Sequence, residues 1–192
     1  FKDLVIQNRS YRRFDNAAKL EKTQLLEWVD HARLSPNATN AQGLRFYLVW
    51  EEEEAARVFE TVTFGGYFRE WGGPEAHEQP TAYIIILGDH DVKTKQDIDC
   101  GIAAQSIALA ASAAGYACLM MSSFKRTLLN THLNLPENLE ILLVLALGKP
   151  GETVKIEPVD EEHGIVYWRD AAGVHHVPKR ALDEITIWKG KL

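Results

Sequence analysis

The stretch Ile102-Ala103-Ala104-Gln105-Ser106-Ile107-Ala108-Leu109-Ala110-Ala111 decides the fold class. It is apolar on nearly every side, the pattern of a helix buried all round. The reading extends this helix from about Lys95 to Ala114. Its small side chains allow close packing, so it is expected to be the central core or subunit-interface helix. Gly115 is placed to end it, because the residue past a helix often adopts a left-handed conformation. Ahead of the helix, Ala82 to Leu87 is a short apolar run rich in isoleucine, read as a buried strand. Behind it, Cys118 to Met121 reads as a strand and Lys125 to Leu133 as a short helix closed by Leu135-Pro136. Leu139 to Leu147 is the strongest strand of the chain, ended by Gly148-Lys149-Pro150.

Toward the N-terminus, residues 2–8 suggest a short helix with Leu4 and Val5 on its apolar face. A clearer helix runs from about Thr23 to Leu34, with Leu25, Val29 and Ala32 at helical spacing. Ser35-Pro36-Asn37 stops it, since a residue before proline is pushed out of the helical region. A polar loop, Asn37 to Gly43, feeds a strand over Arg45 to Trp50. Glu51 to Glu54 form the acidic first turn of a helix to about Phe59, where the helix dipole favours them. In the tail, Ile165 to Trp168 and Val174 to Val177 suggest a hairpin around Asp170-Ala171-Ala172-Gly173. Pro178 is expected to start a short helix containing Lys179 and Arg180. Strands and helices alternate irregularly, which points to α+β rather than a doubly wound sheet. No repeat or boundary appears, so residues 1–192 are expected to form a single domain.

The chain has 192 residues and a formal net charge of −6, the size of one ordinary domain. About 70% of the surface of such a chain can be buried, so neither metal nor disulfide is needed as a staple. No apolar run approaches the roughly 18 residues that span a bilayer. The acidic balance argues against a nucleic-acid partner. Cys100 and Cys118 do not make a disulfide framework and read as buried small hydrophobes in a reducing, cytoplasmic setting. Phe1 in place of Met suggests a trimmed or processed start. One feature stands out in an acidic chain: Arg9, Arg12 and Arg13 gather near one end, Lys179 and Arg180 near the other.

There is no Gly-rich nucleotide loop of the Rossmann or Walker type, and no GxSxG nucleophile elbow. His175 and His176 are adjacent, so on a strand they face opposite ways and chelate one metal poorly. In Arg9-Ser10-Tyr11-Arg12-Arg13-Phe14, forked guanidiniums and hydroxyls suit a phosphate. In Ser35 to Gln42, the Asn and Gln amides can read the edge of a planar heterocycle. Phe64, Tyr67, Phe68 and Trp71 alternate with four glycines, which reads either as a binding loop or lid or as a satellite hydrophobic cluster.

Taken together, Arg9-Ser10-x-Arg12-x-Phe14, the helix end Ala32-Arg33-x-Ser35-Pro36 and Asn40-x-Gln42 resemble the nitroreductase family of FMN-dependent oxidoreductases. Three further stretches are similar to the family's strand, central helix and strand end: Pro80 to Ile85, Asp99-x-Gly101-Ile102-Ala103-Ala104-Gln105, and Leu145 to Gly151. The resemblance covers most of residues 4–150. It implies an α+β fold with a mainly antiparallel sheet flanked by helices, in an interlocked homodimer with one FMN per active site. Carried over by motif, Arg9, Ser10 and Arg12 would hold the phosphate and ribityl chain, with Arg12 near the flavin N1–C2 edge. Pro36, Asn37, Asn40 and Gln42 would contact the flavin and ribityl groups. Met121, Ser122 and Ser123 would offer backbone N–H groups, and Lys179 and Arg180 would complete the phosphate site. Phe64, Tyr67, Phe68, Trp71 and Phe124 are candidates for an aromatic substrate wall, with ordinary packing as the other reading.

The resemblance implies hydride delivery from NAD(P)H to flavin N5, then ping-pong transfer to a nitroaromatic or quinone. Other outcomes it leaves open are a specialised dehalogenase or desaturase, and a flavin-binding regulatory or storage module. Three departures from the family pattern stand out. Asn8 replaces a frequent arginine, Gly43 replaces a frequent proline and is expected to loosen its loop, and Ser122-Ser123 replaces an acidic-glycine pair.

Overall fold

In the computed structural model, which describes residues 1–68 and 70–190, the chain forms six α-helices, two single-turn 3-10 helices (Ala38–Asn40 and Ala76–Glu78) and eight strands among those residues. In order these are α1 (Lys2–Gln7), β1 (Phe14–Asp15), α2 (Lys22–Leu34), β2 (Leu44–Val49) and α3 (Glu52–Phe59). Then follow β3 (Ala82–Asp89), α4 (Asp97–Ala113), β4 (Ala117–Met121), α5 (Arg126–Leu133) and β5 (Leu139–Pro150). The tail adds β6 (Val154–Pro158), β7 (Trp168–Arg169), β8 (His175–Lys179) and α6 (Leu182–Ile185). The chain gathers into two compact units, Phe1–Phe64 with Gly73–Gly151, and Gly65–Gly72 with the segment from Glu152 onward. None of the helices is long and apolar enough to cross a membrane, among the described residues.

The first unit is built on a five-stranded sheet in the order β1-β5-β3-β2, with β4 also paired to β5. Every pair in it is antiparallel. β3 is buried at every position, which is why its sequence is a continuous apolar run rather than an alternation. Ala82, Ile84 and Ile86 face α2 and α4, while Tyr83, Ile85 and Leu87 face the opposite layer. Each of these isoleucines contributes about 2 kcal/mol through burial. On the first face, Ala103, Ala104, Ala108 and Ala111 of α4 are buried and small enough for Leu25, Trp28 and Ala32 of α2 to pack closely. On the other, α3 and α5 bring Val58, Leu129 and Leu133. α4 ends as its sequence predicts: Gly115 takes a φ of 75°, and the Tyr116 N–H donates to the Ala111 carbonyl at 2.8 Å. The α+β reading and the antiparallel sheet flanked by helices therefore hold.

β1 is missing from the sequence reading, and its cause is local. Phe14 pairs with Pro150 and lies over Gly148 and Gly151. Those two glycines leave the room that a side chain would fill, so the Arg9–Phe14 stretch is drawn along the sheet. Both cysteines are free and buried. Burial pushes the Cys100 thiol up to about 11 and Cys118 up to about 12, so neither is a nucleophile at neutral pH.

In the second unit the expected hairpin around Asp170-Ala171-Ala172-Gly173 is present but short, with Trp168 and Arg169 of β7 antiparallel to His176 and His175 of β8. The longer partner of β8 is β6, which runs parallel to it. The expected helix from Pro178 through Lys179 and Arg180 is corrected: Pro178 and Lys179 finish β8, and the helix is Leu182–Ile185. The His175 N–H donates to Thr153 beside β6, so alternation turns the Pro178 nitrogen toward the β7 side, which β7 is too short to reach. A proline is tolerated in a strand on such terms.

Tyr67, Phe68 and Trp71 pack inside this unit. Phe68 meets Tyr167, His175 and Trp71 edge-on at 5.0, 5.2 and 5.9 Å between ring centres. The Arg169 guanidinium lies 4.4 Å from the centres of both Phe68 and Trp71, and it pairs with the buried Glu152 carboxylate at 2.8 Å. The Tyr167 hydroxyl donates to the Gly65 carbonyl at 2.7 Å and accepts the Tyr67 N–H at 3.0 Å. A Cβ on Gly66 would stand 2.1 Å from that hydroxyl, and the Gly66 φ of +63° also favours glycine.

Trp168 is stacked between two histidines, His163 at 3.7 Å and His176 at 5.0 Å between centres. His176 is gripped by Glu157 at 2.8 Å and Asp170 at 3.1 Å. The Asp170 carboxylate first, then Glu157, hold the His176 imidazolium above its usual range. A raised value stabilises the folded form fully below about pH 6.5, and that stabilisation is lost as pH rises through the folded-state value. Between pH 6 and 9 the β6-β8 amides are therefore expected to lose protection beyond the intrinsic pH effect. Hydrogen exchange should show this, and His176→Gln should flatten the trend. An unchanged profile in the wild type would contradict the assigned pairing.

Candidate functional site

The first motif follows α1 directly. The Arg9 Nη2 donates to the Val5 carbonyl at 2.6 Å, which caps the end of that helix. Its Nε is buried without a hydrogen-bond partner, and Arg9 makes no ion pair among the described residues. Burial pulls the Arg9 guanidinium below its usual range, yet arginine stays charged in proteins. Ser10 is exposed and bridges in parallel to Cys118 on β4. The Arg12 Nη1 donates to the Ser10 carbonyl at 3.2 Å. Arg13 turns away to Glu78 at 3.2 Å.

Met121, Ser122 and Ser123 stand at the other end of β4. Met121 is buried and both serines are exposed. Four strand steps from Cys118 to Ser122 cover about 13 Å, so β4 sets the spacing between the two motifs. The Ser123 carbonyl accepts the Thr63 N–H at 3.0 Å, and Phe124 bridges to Val62. Phe64 thereby lies beside this strand end and packs on Phe59 at 5.5 Å. Arg126 covers the Phe124 ring at 5.0 Å.

The polar loop is held in an unusual conformation. Thr39, Asn40 and Gln42 have φ values of 58°, 53° and 53°. Left-handed backbone at a non-glycine residue costs of order 1–3 kcal/mol and persists only where the surroundings impose it. Here the Asn37 Oδ1 accepts the Gln42 N–H at 3.1 Å, and the Arg45 Nη1 donates to the Gln42 carbonyl at 3.1 Å. Arg45 is itself fixed by Asp89 at 2.9 Å. The Asp99 Oδ1 accepts the Ala38 N–H at 2.8 Å. The expectation that Gly43 loosens the loop is corrected: a Cβ there would stand 2.7 Å from the buried Gln96 Oε1, so Gly43 permits close packing. Asn40 and Gln42 remain exposed, and the Gln42 Nε2 makes a long hydrogen bond to the Asn40 carbonyl at 3.4 Å.

Pro36, Asn37 and Gln42 also line a cavity of about 290 Å³, walled by Phe46, Ile102 and Ala103. Its mixed lining suits a planar group with polar edges. The structure thus ties Arg9, Ser10 and Arg12 to the start of β4 and sets Met121 to Phe124 at its end. It seats Pro36 to Gln42 above α4. Lys179 and Arg180 belong to the second unit, as do Tyr67, Phe68 and Trp71. Lys179 ends β8, and Arg180 lies 3.8 Å from Glu184. Sequence reasoning missed the roles of Lys93, Arg45 and Gln96, whose contacts arise only on folding.

The chain matches the model of the Nitroreductase family over residues 5–149. No curated protein matches it significantly. Among solved structures, it is similar to a nitroreductase family protein from Clostridium difficile at 23% identity, covering 98% of each chain with a TM-score of 0.70. A nitroreductase family protein from Streptococcus pneumoniae is 16% identical, with 98% of this chain and 100% of that chain covered and a TM-score of 0.71. An FMN-dependent nitroreductase from Clostridium difficile is 20% identical over 81% of this chain and 90% of that one, with a TM-score of 0.66.

Proposed function

Because this chain belongs to the nitroreductase family, we propose that it is a homodimeric, FMN-dependent NAD(P)H oxidoreductase for small conjugated acceptors such as nitroaromatics or quinones. The observation that carries this reading is Arg9. It is a half-buried guanidinium in an acidic chain, with a buried Nε that lacks a hydrogen-bond partner among the described residues. An anion meeting that Nε would offset the cost of its burial. With the Ser10 hydroxyl and Arg12 beside it, Arg9 fits a phosphate.

The rest of the site fits the remainder of FMN. The exposed amides of Asn40 and Gln42 offer donors and acceptors for its polar edges. Backbone N–H groups of Ser122 and Ser123 are proposed to face the ring. Phe64 and Phe124 supply flat apolar surface, while Tyr67, Phe68 and Trp71 fit the packing reading better. When bound, FMN would supply the redox chemistry that the proposed ping-pong exchange between NAD(P)H and the acceptor requires. The protein's part is to bind, orient and exclude water, and to set a cation, Arg12, where negative charge accumulates on reduction.

The homodimer has support in an apolar face on α1 and α4. Val5, Ile6 and Ile102 are partly exposed, and Ile98 is 78% exposed. Exposed apolar side chains on two neighbouring helices support the reading that a second copy covers them.

The direct test is the absorbance spectrum of the purified protein, before and after FMN is added. A bound flavin spectrum and steady NAD(P)H oxidation with a quinone are expected. A colourless protein that FMN cannot reconstitute would overturn the proposal. Tight flavin binding without turnover would point to a regulatory or storage module. Activity only with halogenated or saturated-ring substrates would point to the specialised members.

A further inference from the structure

We propose that Lys93 and Asp99 are positioning residues, a part-buried ion pair that holds the 37–42 loop in its cofactor-ready conformation. This rests on the functional reading above. The Asp99 side chain is 5% exposed and lies in the first turn of α4. Its two oxygens face different partners. One accepts the Ala38 N–H at 2.8 Å, and the other takes the Lys93 ammonium at 2.7 Å. Ala38 opens the short turn that contains Thr39 and Asn40, two of the three residues with positive φ.

The far end of the loop is tied to the same piece of backbone. The Gln42 carbonyl is held by Arg45, and Arg45 by Asp89. Asp89 and Lys93 are the two ends of one turn, closed by the Lys93 N–H to the Asp89 carbonyl at 3.0 Å. Gln96 staples that turn, donating to the carbonyls of Asp89 at 3.2 Å and Lys93 at 2.7 Å. The β3–α4 connection is therefore the base of a clamp, with Asp99–Lys93 gripping Ala38 and Asp89–Arg45 gripping Gln42.

Such a pair is a poor source of stability, because desolvation of Asp99 and the partial exposure of Lys93 offset much of its attraction. What this pair supplies is direction: it fixes one backbone N–H of a strained loop. Without it, Thr39 and Asn40 are free to relax toward ordinary φ values. The competent conformation then becomes a fraction of the population, and apparent affinity falls by that fraction. The bound state, once formed, is unchanged.

Two variants test this against wild type. Asp99→Asn removes the charge. Lys93→Met with Asp99→Leu replaces the pair by apolar groups, a change that folds tolerate, and it removes the acceptor for Ala38. In the cofactor-free protein, amide exchange at residues 38–43 is expected to quicken at least tenfold while β3 and β5 stay protected. The FMN Kd is expected to rise about tenfold, or 1.4 kcal/mol. The bound flavin spectrum and the rate of reduction at saturating FMN should stay as in wild type, and Lys93→Arg should keep wild-type affinity. Unchanged loop exchange and affinity in a folded variant would overturn the proposal. So would loss of protection throughout the sheet in both variants, which would mean a general structural role. If wild type takes up no FMN, the functional reading fails, whereas faster exchange confined to 38–43 would still uphold the clamp.

Discussion

Arg9→Ala is expected to weaken FMN binding roughly 30-fold, the equivalent of about 2 kcal/mol for hydrogen bonds between a guanidinium and a charged group. The melting temperature of the cofactor-free protein should barely move. Both halves of this expectation come from the same geometry. Among the described residues the guanidinium has one hydrogen-bond partner, the Val5 carbonyl, and an Nε buried with none. Removing it forfeits that one hydrogen bond but also relieves the desolvation that already pulls its pKa down. The folded protein therefore gains nearly what it loses. The anion complex gains nothing back, because the forked donors have no substitute. Arg9→Lys should fall between the two, since an ammonium keeps the charge without the fork. Flavin fluorescence quenching, titrated at two salt concentrations, reads the affinity and its charge component together. An Arg9→Ala protein that binds FMN like wild type would show that the phosphate lies elsewhere.

The parts of the fold most legible in the sequence are the apolar runs of β3 and α4. Ala82 to Leu87 is continuous because layers cover both of its faces, whereas α4 buries one face against the sheet and α2 and leaves Ile102 and Gln105 exposed. The tail was misread where pairing is long-range. Val154–Pro158 alternates apolar with charged residues, yet its partner β8 lies some twenty residues on, in parallel. No local signal marks such a pairing. Pro178 looked like a helix start because proline suits a first turn, but the short reach of β7 leaves its missing N–H without cost.

The candidate site divides in the same way. The Arg-Ser-x-Arg and Asn-x-Gln spacings are local, so they were readable. Folding places them at β4 and above α4. The clamp beneath the loop was not readable, because Ala38, Lys93 and Asp99 meet only through the tertiary fold. Phe68 and Trp71 could be named as unusual, but their guanidinium partner, Arg169, lies about a hundred residues away in sequence.

Gly151→Ala is expected to be the most damaging single-methyl change in the first unit. A Cβ there would stand 2.6, 2.7 and 2.8 Å from the carbonyl carbon, oxygen and nitrogen of Phe14. These are backbone atoms, so no rotamer change relieves the overlap. The Gly151 φ lies outside the left-handed range, so the requirement is for space alone. The Gly151 N–H also donates to the Arg13 carbonyl at 2.9 Å, and the clash would pull this bond apart. β1 is only two residues long, and its strand pairing is with β5, so the clash falls on the pairing that sets its register. A loss of about 3 kcal/mol follows from overpacking of this kind, or roughly 6–12 °C in Tm for a chain of this length. Gly148→Ala makes a graded comparison. Its Cβ would meet the Phe14 ring at 3.0 Å, and a ring can tilt, so a smaller loss is expected. Because β1 continues the Arg9–Arg13 segment, Gly151→Ala should also weaken FMN binding without touching a cofactor contact. Thermal unfolding of the three proteins, with and without FMN, measures both effects. Equal Tm values for the two variants would mean that Phe14 does not lie against Gly151, and that the first motif is anchored to the sheet by some other contact.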